Sequence, residues 1–329
     1  QGTIYDESLR FNPKKDKRCQ FYITPVRSDN FFQNYSKLIA VNEEPISGLG
    51  TYGYWFNCQT ARRQGIKVLL DGQGGDEMFG GYKYYYYHRF LELYRGKRFQ
   101  ELKNEVADFN KINGDTIKFP DKGFGDFLDH HTRSFRAMKA SDGTDLASAY
   151  LSNDFAKKFA GRIIQPKKKF KNSFRNAVYN DLFFFKIPKL LRFQDKTAMA
   201  WSVESRVPFL DHTLADLQFS VPTAFLMKDG KNKYILRKIA QKYLDKNFFM
   251  NLPKLYVSTP QREWIKNYLQ PEIIEMVNNS VLQREGYIDS RKLKAEYEDY
   301  LEKKELGNSF FVWKFFSLEL WYRNFIKKS

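Results

Sequence analysis

The chain has 329 residues, of which 42% are hydrophobic and 17% aromatic, so it can bury a sizeable core and its composition excludes a disordered protein. No apolar run is long enough to cross a bilayer and no signal-peptide pattern opens the chain, which predicts no membrane insertion. Two cysteines, Cys19 and Cys58, are too few for a disulfide framework and predict a reducing, cytoplasmic location.

The net charge of +17 raises the alternative of a nucleic-acid or membrane-surface partner, because a basic surface attracts polyanions. The lysine clusters NPKKDKR (12–18) and QPKKKFKN (165–172) are short and loop-like, and no nucleic-acid-binding motif accompanies them. We interpret the charge as a lysine-rich composition that would also favour a small acidic substrate, and we predict no nucleic-acid partner.

The first part of the chain alternates between predicted strands and helices. The segments are a β-rich run at 18–26, a helix at 30–42, a helix at 51–66 that stops at Gly65, a buried strand KVLLDG at 67–72, and a helix that begins near DEMFGGYKYYYY at 76–87. Such alternation is typical of a parallel sheet.

From about residue 90 onward, apolar residues recur at three- and four-residue spacing, which predicts helices. The clearest helical segments lie at 174–201, 232–244 and 309–326. The predicted fold class is therefore α/β, with an α/β portion at 1–90 and a mainly helical portion at 91–329.

The segment DGQGGDE, residues 71–77, directly follows the predicted strand. Ligands of open parallel sheets bind beyond the carboxyl ends of the strands, and glycines there let backbone N–H groups approach an anion. Asp71, Asp76 and Glu77 would suit such a turn if Mg²⁺ lay between them and a nucleotide. A tight strand-to-helix turn capped by acids explains the same spacing equally well.

Two further patterns carry less weight. GLGTYG (48–53) matches the dinucleotide-binding fingerprint, but the strand that should precede it is missing. His130 and His131 lie beside Asp129, yet nothing else at ligand spacing indicates zinc.

Several motifs together resemble the synthetase domain of the glutamine-hydrolysing asparagine synthetases, a family that also includes β-lactam synthetases and lasso-peptide cyclases. The resemblance covers nearly the whole chain, in order. It is carried by NEEPI (42–46), VLLDGQGGDEMFGGY (68–82), IPKLLRFQDKTAMAWSVESRVPFLDH (187–212), KNKYILRKIA (231–240) and WKFFSLELWYRNFI (313–326).

The resemblance implies an incomplete parallel sheet of the ATP-pyrophosphatase type and an ATP- and Mg²⁺-dependent reaction. A substrate carboxylate, most simply that of aspartate, would attack the α-phosphate of ATP, and ammonia from glutamine would then displace AMP to form an amide. Asp76 matches the family's Mg²⁺- and pyrophosphate-binding aspartate, while Gln73 stands where the family commonly has glutamate. The ATP-binding segment is Asp71, Gly72, Gln73, Gly74, Gly75 and Asp76.

Lys233 matches the family's catalytic lysine, whose ammonium can stabilise charge that develops on the α-phosphate. Other residues stand where the family has acid–base pairs near the site, and some of them could equally be ion pairs that only shape the pocket. These residues are Glu44, Asp195, Lys196, Glu204, Arg206 and Asp211. We interpret the tyrosines at 84–87 as helix surface and core, not as a stacking platform.

Two parts of the family pattern are absent: the SGGxDS loop, expected upstream of YDES (5–8), and the glutaminase domain. We therefore expect a truncated or split protein, inactive alone, whose partner is a glutaminase domain or subunit, and the family also allows a homodimer. The loop PKLYVSTP (253–260) departs from the family's PKxGFxxP and leaves the substrate open. The alternatives are an amidotransferase for another carboxylate, such as one on a surface polysaccharide, and a non-catalytic remnant or partner subunit.

Overall fold

The computed structural model describes residues 20, 22, 24–26, 30–118, 123–133, 150–159, 162, 165–243, 259–303 and 308–327. Over these ranges the chain is mostly helical and contains one two-stranded parallel sheet. None of the helices in this part of the chain is long and apolar enough to span a membrane.

The first half of the chain contains seven described helices and the first strand, β1 (Val68–Leu70). The helices are α1 (Phe31–Asn42), α2 (Gly50–Arg63), α3 (Gly75–Met78), α4 (Tyr85–Arg95), α5 (Phe99–Asn113), α6 (Phe124–Arg133) and α7 (Asn153–Phe159). The helices predicted at 30–42 and 51–66 are confirmed as α1 and α2, and Gly65 follows α2 with a positive φ of 74°. The helix predicted near 76–87 is divided into the single turn α3 and the longer α4.

The second half contains ten described α-helices, a π-helical turn at Asp181–Phe185, a 3₁₀ turn at Pro208–Leu210 and the strand β2 (Glu204–Arg206). The helices are α8 (Ser173–Asn180), α9 (Ile187–Met199), α10 (His212–Ser220), α11 (Thr223–Leu226), α12 (Tyr234–Tyr243), α13 (Gln261–Asn267), α14 (Gln270–Asn278), α15 (Val281–Arg284), α16 (Ser290–Glu302) and α17 (Phe310–Phe325). The three predicted helical segments are confirmed where they are described.

The sheet joins the two halves of the chain, since β1 pairs in parallel with β2 and Leu69 lies opposite Ser205. The parallel direction of β1 is confirmed, but its predicted burial is wrong: Leu70 is 75% exposed and Val68 39%. In the described ranges only β2 pairs with β1, so the other edge of β1 is unpaired there. The face that carries Val68 and Leu70 is exposed as well. Most of the strand predicted at 18–26 lies outside the described residues, and its described positions are not in a strand.

The first hydrophobic core lies between α1, α2 and the C-terminal helices. Phe31 and Tyr35 of α1 stack against Phe316 of α17, with ring centroids 6.0 and 5.6 Å apart. Ser317 accepts a hydrogen bond from the Tyr35 hydroxyl at 3.0 Å and from the backbone N–H of Ile46 at 2.7 Å. Apolar residues at helical spacing therefore bury one face of α1 against α17.

The second hydrophobic core lies beneath the glycine-rich turn and is formed by α3, α4, α5, α6, α8 and α11. Met78, Phe90, Phe109 and Met227 are among its completely buried side chains. This core stabilises the short helix α3, because a helix of only four residues is not stable by itself.

Candidate functional site

The glycine-rich turn begins where β1 ends. The backbone N–H of Asp71 donates to the carbonyl of Arg206 at 2.8 Å, and the Asp71 carboxylate accepts from the N–H of Gln73 at 3.0 Å. Burial raises the pKa of Asp71, while the N–H groups of Gln73 and Gly72 act in the opposite direction. The Asp71 carboxylate therefore stabilises the turn by accepting a hydrogen bond from its backbone.

Gly74 and Gly75 are covered by the 3₁₀ turn that follows β2. Gly74 has a φ of 87°, and a Cβ atom there would lie 2.5 Å from Leu210 Cγ and closer still to its Cδ2. A Cβ atom on Gly75 would lie 3.3 Å from the ring of Phe209. The VPFLDH segment thus holds the turn in place, which the sequence pattern alone did not predict.

Replacing Gly74 by alanine is expected to lower the free energy of unfolding by about 2–4 kcal/mol, because left-handed strain adds to a clash with Leu210. Gly114→Ala is the matched control, since Gly114 has a φ of 67° but a Cβ atom there meets nothing within 4 Å. Urea denaturation of both variants would separate clash from strain. Equal losses would contradict the close approach of Leu210.

Asp76 and Lys233 form the ion pair at the centre of the site. Lys233 Nζ lies 3.2 Å from Asp76 Oδ1, and the two side chains are 33% and 30% exposed. The backbone N–H of Lys233 donates to the carbonyl of Phe79 at 3.2 Å, and the Asn232 side chain donates to the carbonyl of Gly81 at 2.7 Å. The start of α12 is thereby fixed to the segment after α3, so two predicted site residues far apart in sequence meet directly.

A helix dipole can contribute little to anion binding at this turn. The helix that follows the glycines, α3, is only four residues long and is followed by a loop before α4. A macrodipole grows with the number of aligned peptide units, so an anion here would rely on backbone N–H groups and on Lys233 instead.

Two ion pairs connect the end of α1 with α9. Arg192 donates both Nε and Nη2 to the carboxylate of Glu44, and Lys196 Nζ lies 2.7 Å from Glu43 Oε2. Lys196 also donates to the carbonyl of Asn42 at 3.0 Å. Glu44 and Lys196 therefore lie at a helix–helix junction; neither forms an ion pair or hydrogen bond with Asp76 or Lys233 among the described residues.

The remaining predicted acid–base residues also make local contacts. Glu204 accepts from Arg206 at 2.8 Å, which lowers the pKa of Glu204 on the exposed strand β2. Asp211 accepts from Thr213 N at 2.9 Å and caps α10. Asp195 is exposed and makes no hydrogen bond or ion pair within the described part of the chain. The assignment of these residues to a substrate pocket stays a prediction.

A buried tyrosine–carboxylate cluster adjoins the Asp76–Lys233 pair and was not predicted. The hydroxyl of Tyr82 donates to Glu77 at 2.6 Å, and the hydroxyls of Tyr84 and Tyr85 both donate to Asp181, the latter at 2.6 Å. The cluster comprises Glu77, Tyr82, Tyr84, Tyr85 and Asp181, together with Lys186, whose Nζ lies 3.5 Å from the ring centre of Tyr82. The only sequence signal was the run of tyrosines, because Asp181 lies far along the chain.

Stability is expected to fall between about pH 4 and pH 6 because of Asp181. Burial raises the pKa of this fully buried carboxyl group from 3.8 to about 6. The neutral form therefore stabilises the fold below pH 4, and that stability is lost as pH rises through about 6, by up to about 3 kcal/mol.

Asp181→Asn should remove this part of the pH dependence, measured as the free energy of unfolding against pH. Asp154→Asn is the control, because Asp154 is exposed on α7, and it should leave the profile unchanged. An Asp181→Asn profile parallel to that of the wild type would contradict the expectation.

The carboxylates of the site do not form a metal centre by themselves. Within the described ranges, no group of three or more His, Cys, Asp and Glu side chains lies close enough to hold a metal ion. This fits Mg²⁺, which usually binds through one or two carboxylates together with substrate phosphates and water. Asp76, one-third exposed and paired with Lys233 beside the glycine-rich turn, is the carboxylate suited to that arrangement.

The structure defines an α/β protein in which a glycine-rich turn follows a parallel strand and carries a lysine–aspartate pair. Residues 20–323 match the asparagine synthase family. The chain therefore belongs to the asparagine synthase family, as its motifs indicated.

Individual relatives are distant and longer. Asparagine synthetase (glutamine-hydrolyzing) 1 of Bacillus subtilis is 24% identical over 307 residues, which are 92% of this chain and 47% of the relative. Amidase chry2 of Gibberella zeae is 25% identical, with 80% of this chain and 42% of the relative covered. A putative asparagine synthetase (glutamine-hydrolyzing) of Mycobacterium bovis is 23% identical, with coverage of 73% and 37%. The chain thus spans about half, or less, of the length of these relatives.

Proposed function

We propose that this chain is the synthetase part of an ATP-dependent, amide-forming ligase of the ATP-pyrophosphatase type. The observation that carries the proposal is the Asp76–Lys233 pair, 3.2 Å apart beside the glycine-rich turn, in a member of the asparagine synthase family. In the proposed reaction a substrate carboxylate oxygen bonds to the α-phosphorus of ATP and pyrophosphate leaves. An amine then attacks the acyl carbon and AMP leaves, so that an amide is formed.

Lys233 is the group proposed to stabilise the reaction's developing charge. Its ammonium is fixed by the backbone contact to Phe79 and by the ion pair with Asp76, so little reorganisation is needed when negative charge grows on the α-phosphate. Asp76 would hold Mg²⁺, which would neutralise the pyrophosphate. The backbone N–H of Gly74 would face the phosphates, because those of Gln73 and Gly75 donate within the turn.

Gln73 is proposed to bind the reacting groups without exchanging a proton. Its side chain makes no hydrogen bond in the described part of the chain, and it is half-buried beside the turn. A carboxamide offers one acceptor and two donors but has no titratable proton. Gln73 can therefore orient the acyl group, whereas the general-base role open to a glutamate is closed to it.

The substrate is proposed to be aspartate, with ammonia supplied from glutamine by a glutaminase domain or subunit. The alternative is that the substrate is a carboxylate other than aspartate. Two relatives whose matches cover four-fifths of this chain are named amidases and not asparagine synthetases. The loop that departs from the family pattern, residues 253–260, lies outside the described residues except for Thr259 and Pro260.

ATP–pyrophosphate exchange in the full-length gene product tests the proposal. Exchange that depends on a carboxylic acid, assayed with aspartate and then with a series of other acids, would support adenylate formation and identify the acceptor. Amide production with glutamine and with ammonium salts would separate the two nitrogen sources. Absence of exchange with every acid would favour a non-catalytic partner subunit.

A further inference from the structure

A cavity of about 500 Å³ is lined by residues that include neither Asp76 nor Lys233. It is lined by side chains of α4, by the segment that leads into α8, and by the start of α11. Phe174 and Met227, both buried, lie on the side of Gly80, where a Cβ atom would approach them to 3.6 and 2.9 Å. None of the residues that line the cavity belongs to the glycine-rich segment.

The charged side chains that line the cavity are mostly cationic. Arg89, Arg98, Lys171 and Arg175 contribute four positive charges, whereas Glu92 is the acidic residue among the lining side chains. Most protein cavities are lined chiefly by apolar groups with few polar ones, so four cations in one cavity are unusual. The lining has the volume and the charge for a small anionic molecule.

Arg89 forms the floor of the cavity and is built into the fold. Its side chain is 1% exposed, and Nη2 lies 2.7 Å from Glu101 Oε1 while Nη1 lies 3.5 Å from Glu92. Its Nε atom is buried and has no hydrogen-bond partner. An unpaired buried donor costs free energy, on the order of 1–3 kcal/mol, and an anion in the cavity would offer an acceptor.

Two other cations of the cavity have no acidic partner. Lys171 and Arg175 form no ion pair within the described part of the chain, although Arg98 is paired with Glu101. The hydroxyl of Thr223, a residue only 4% exposed, likewise makes no hydrogen bond among the described residues. Two cations without an acidic partner, beside a hydroxyl that makes no hydrogen bond, form a surface rich in donors.

We propose that this cavity binds a small phosphate-bearing molecule. Phosphate oxygens accept several charge-assisted hydrogen bonds at once, and guanidinium groups match them with two parallel donors. Arg175 and Lys171 bind the phosphate from the exposed side, while Thr223 and Arg89 approach from the buried side. The cavity volume leaves room for more than the phosphate itself. This site is separate from the proposed nucleotide site and does not depend on it.

Calorimetric titration with inorganic phosphate, at constant ionic strength in chloride, tests the proposal. The parent protein carries Lys233→Ala, so that the proposed nucleotide site contributes little. Lys171→Ala with Arg175→Ala should weaken phosphate binding about tenfold or more, since each charge-assisted hydrogen bond is worth about 1.5–3 kcal/mol. The control is Lys157→Ala with Lys158→Ala, which removes two exposed charges from α7 and should change affinity less than about twofold.

Thr223→Val provides an uncharged variant of nearly the same shape. It should also weaken phosphate binding while the thermal stability stays close to that of the parent. The proposal is overturned if the parent shows no saturable binding of phosphate. It is equally overturned if the Lys157–Lys158 control loses as much affinity as the cavity variant, because binding would then follow net charge alone.

Discussion

Replacing Lys233 by methionine is expected to lower the rate of ATP–pyrophosphate exchange in the full-length protein by about 10²–10³-fold. The ammonium lies 3.2 Å from Asp76. It would stabilise negative charge that develops only in the transition state. The loss should therefore appear in kcat, with a smaller change in the KM for ATP. Steady-state exchange kinetics over a range of ATP concentrations would measure both.

Lys238→Met is the control for Lys233→Met, because Lys238 is an exposed lysine on the same helix, α12. It removes the same charge and should retain nearly full exchange activity. A Lys233→Met enzyme with unchanged kcat and raised KM would instead identify Lys233 as a residue that only binds ATP. Full activity in that variant would remove Lys233 from the site.

The helices could be predicted from the sequence wherever one apolar face recurs at helical spacing. In α1, Phe31, Tyr35, Leu38 and Ile39 are all buried, and this regular pattern fixed both the type and the limits of the helix. The strand β2 could not be predicted in this way. Its three residues are Glu204, Ser205 and Arg206, which show no apolar alternation, and its pairing with β1 depends on a contact between distant parts of the chain.

The burial of β1 was mispredicted for a related reason. An apolar run between glycines is typical of a strand covered on both faces. The run at 68–70 was therefore predicted to be a buried strand. Whether a strand is covered depends on the elements packed over it, and these are not encoded in the strand itself. In the described structure Leu70 remains mostly exposed, although its apolar side chain favours a covered position.

The site could be predicted in part, because the resemblance to the family's motifs assigns both Asp76 and Lys233 to the same site. Their physical pairing is a tertiary contact that spacing alone does not reveal. The tyrosine–carboxylate cluster shows the limit more clearly. Asp181 accepts from Tyr84 and Tyr85 across a long sequence separation, and nothing in the local pattern of either segment marks these residues as partners.

Two pairs of the predicted site residues lie in different parts of the fold. Asp76 and Lys233 lie beside the second hydrophobic core, Asp76 in α3 and Lys233 just before α12. Glu44 and Lys196 instead join α1 to α9 beside the first core. These ion pairs therefore lie between α1 and α9, and α9 also contacts β2.

Gly81→Ala is expected to disable the site with little loss of stability. A Cβ atom at Gly81 would overlap Asp76 Oδ1 and lie 2.6 Å from Lys233 Cε. The Asp76–Lys233 pair must therefore move, whereas the clash falls on the ends of two partly exposed side chains that can rotate away. Because a displacement of about 1 Å can cost a reaction about 10²-fold, ATP–pyrophosphate exchange should fall by about that factor.

The stability of Gly81→Ala, measured by thermal unfolding, should stay within a few degrees of the wild type. Gly50→Ala is the matched control, since a Cβ atom on Gly50 meets nothing within 4 Å at the start of α2, and it should retain exchange activity. Because this substitution leaves both charged residues in the chain, a loss of exchange would depend on their placement alone. Exchange in Gly81→Ala within about twofold of the wild type would mean that the reaction does not need the pair at its present separation.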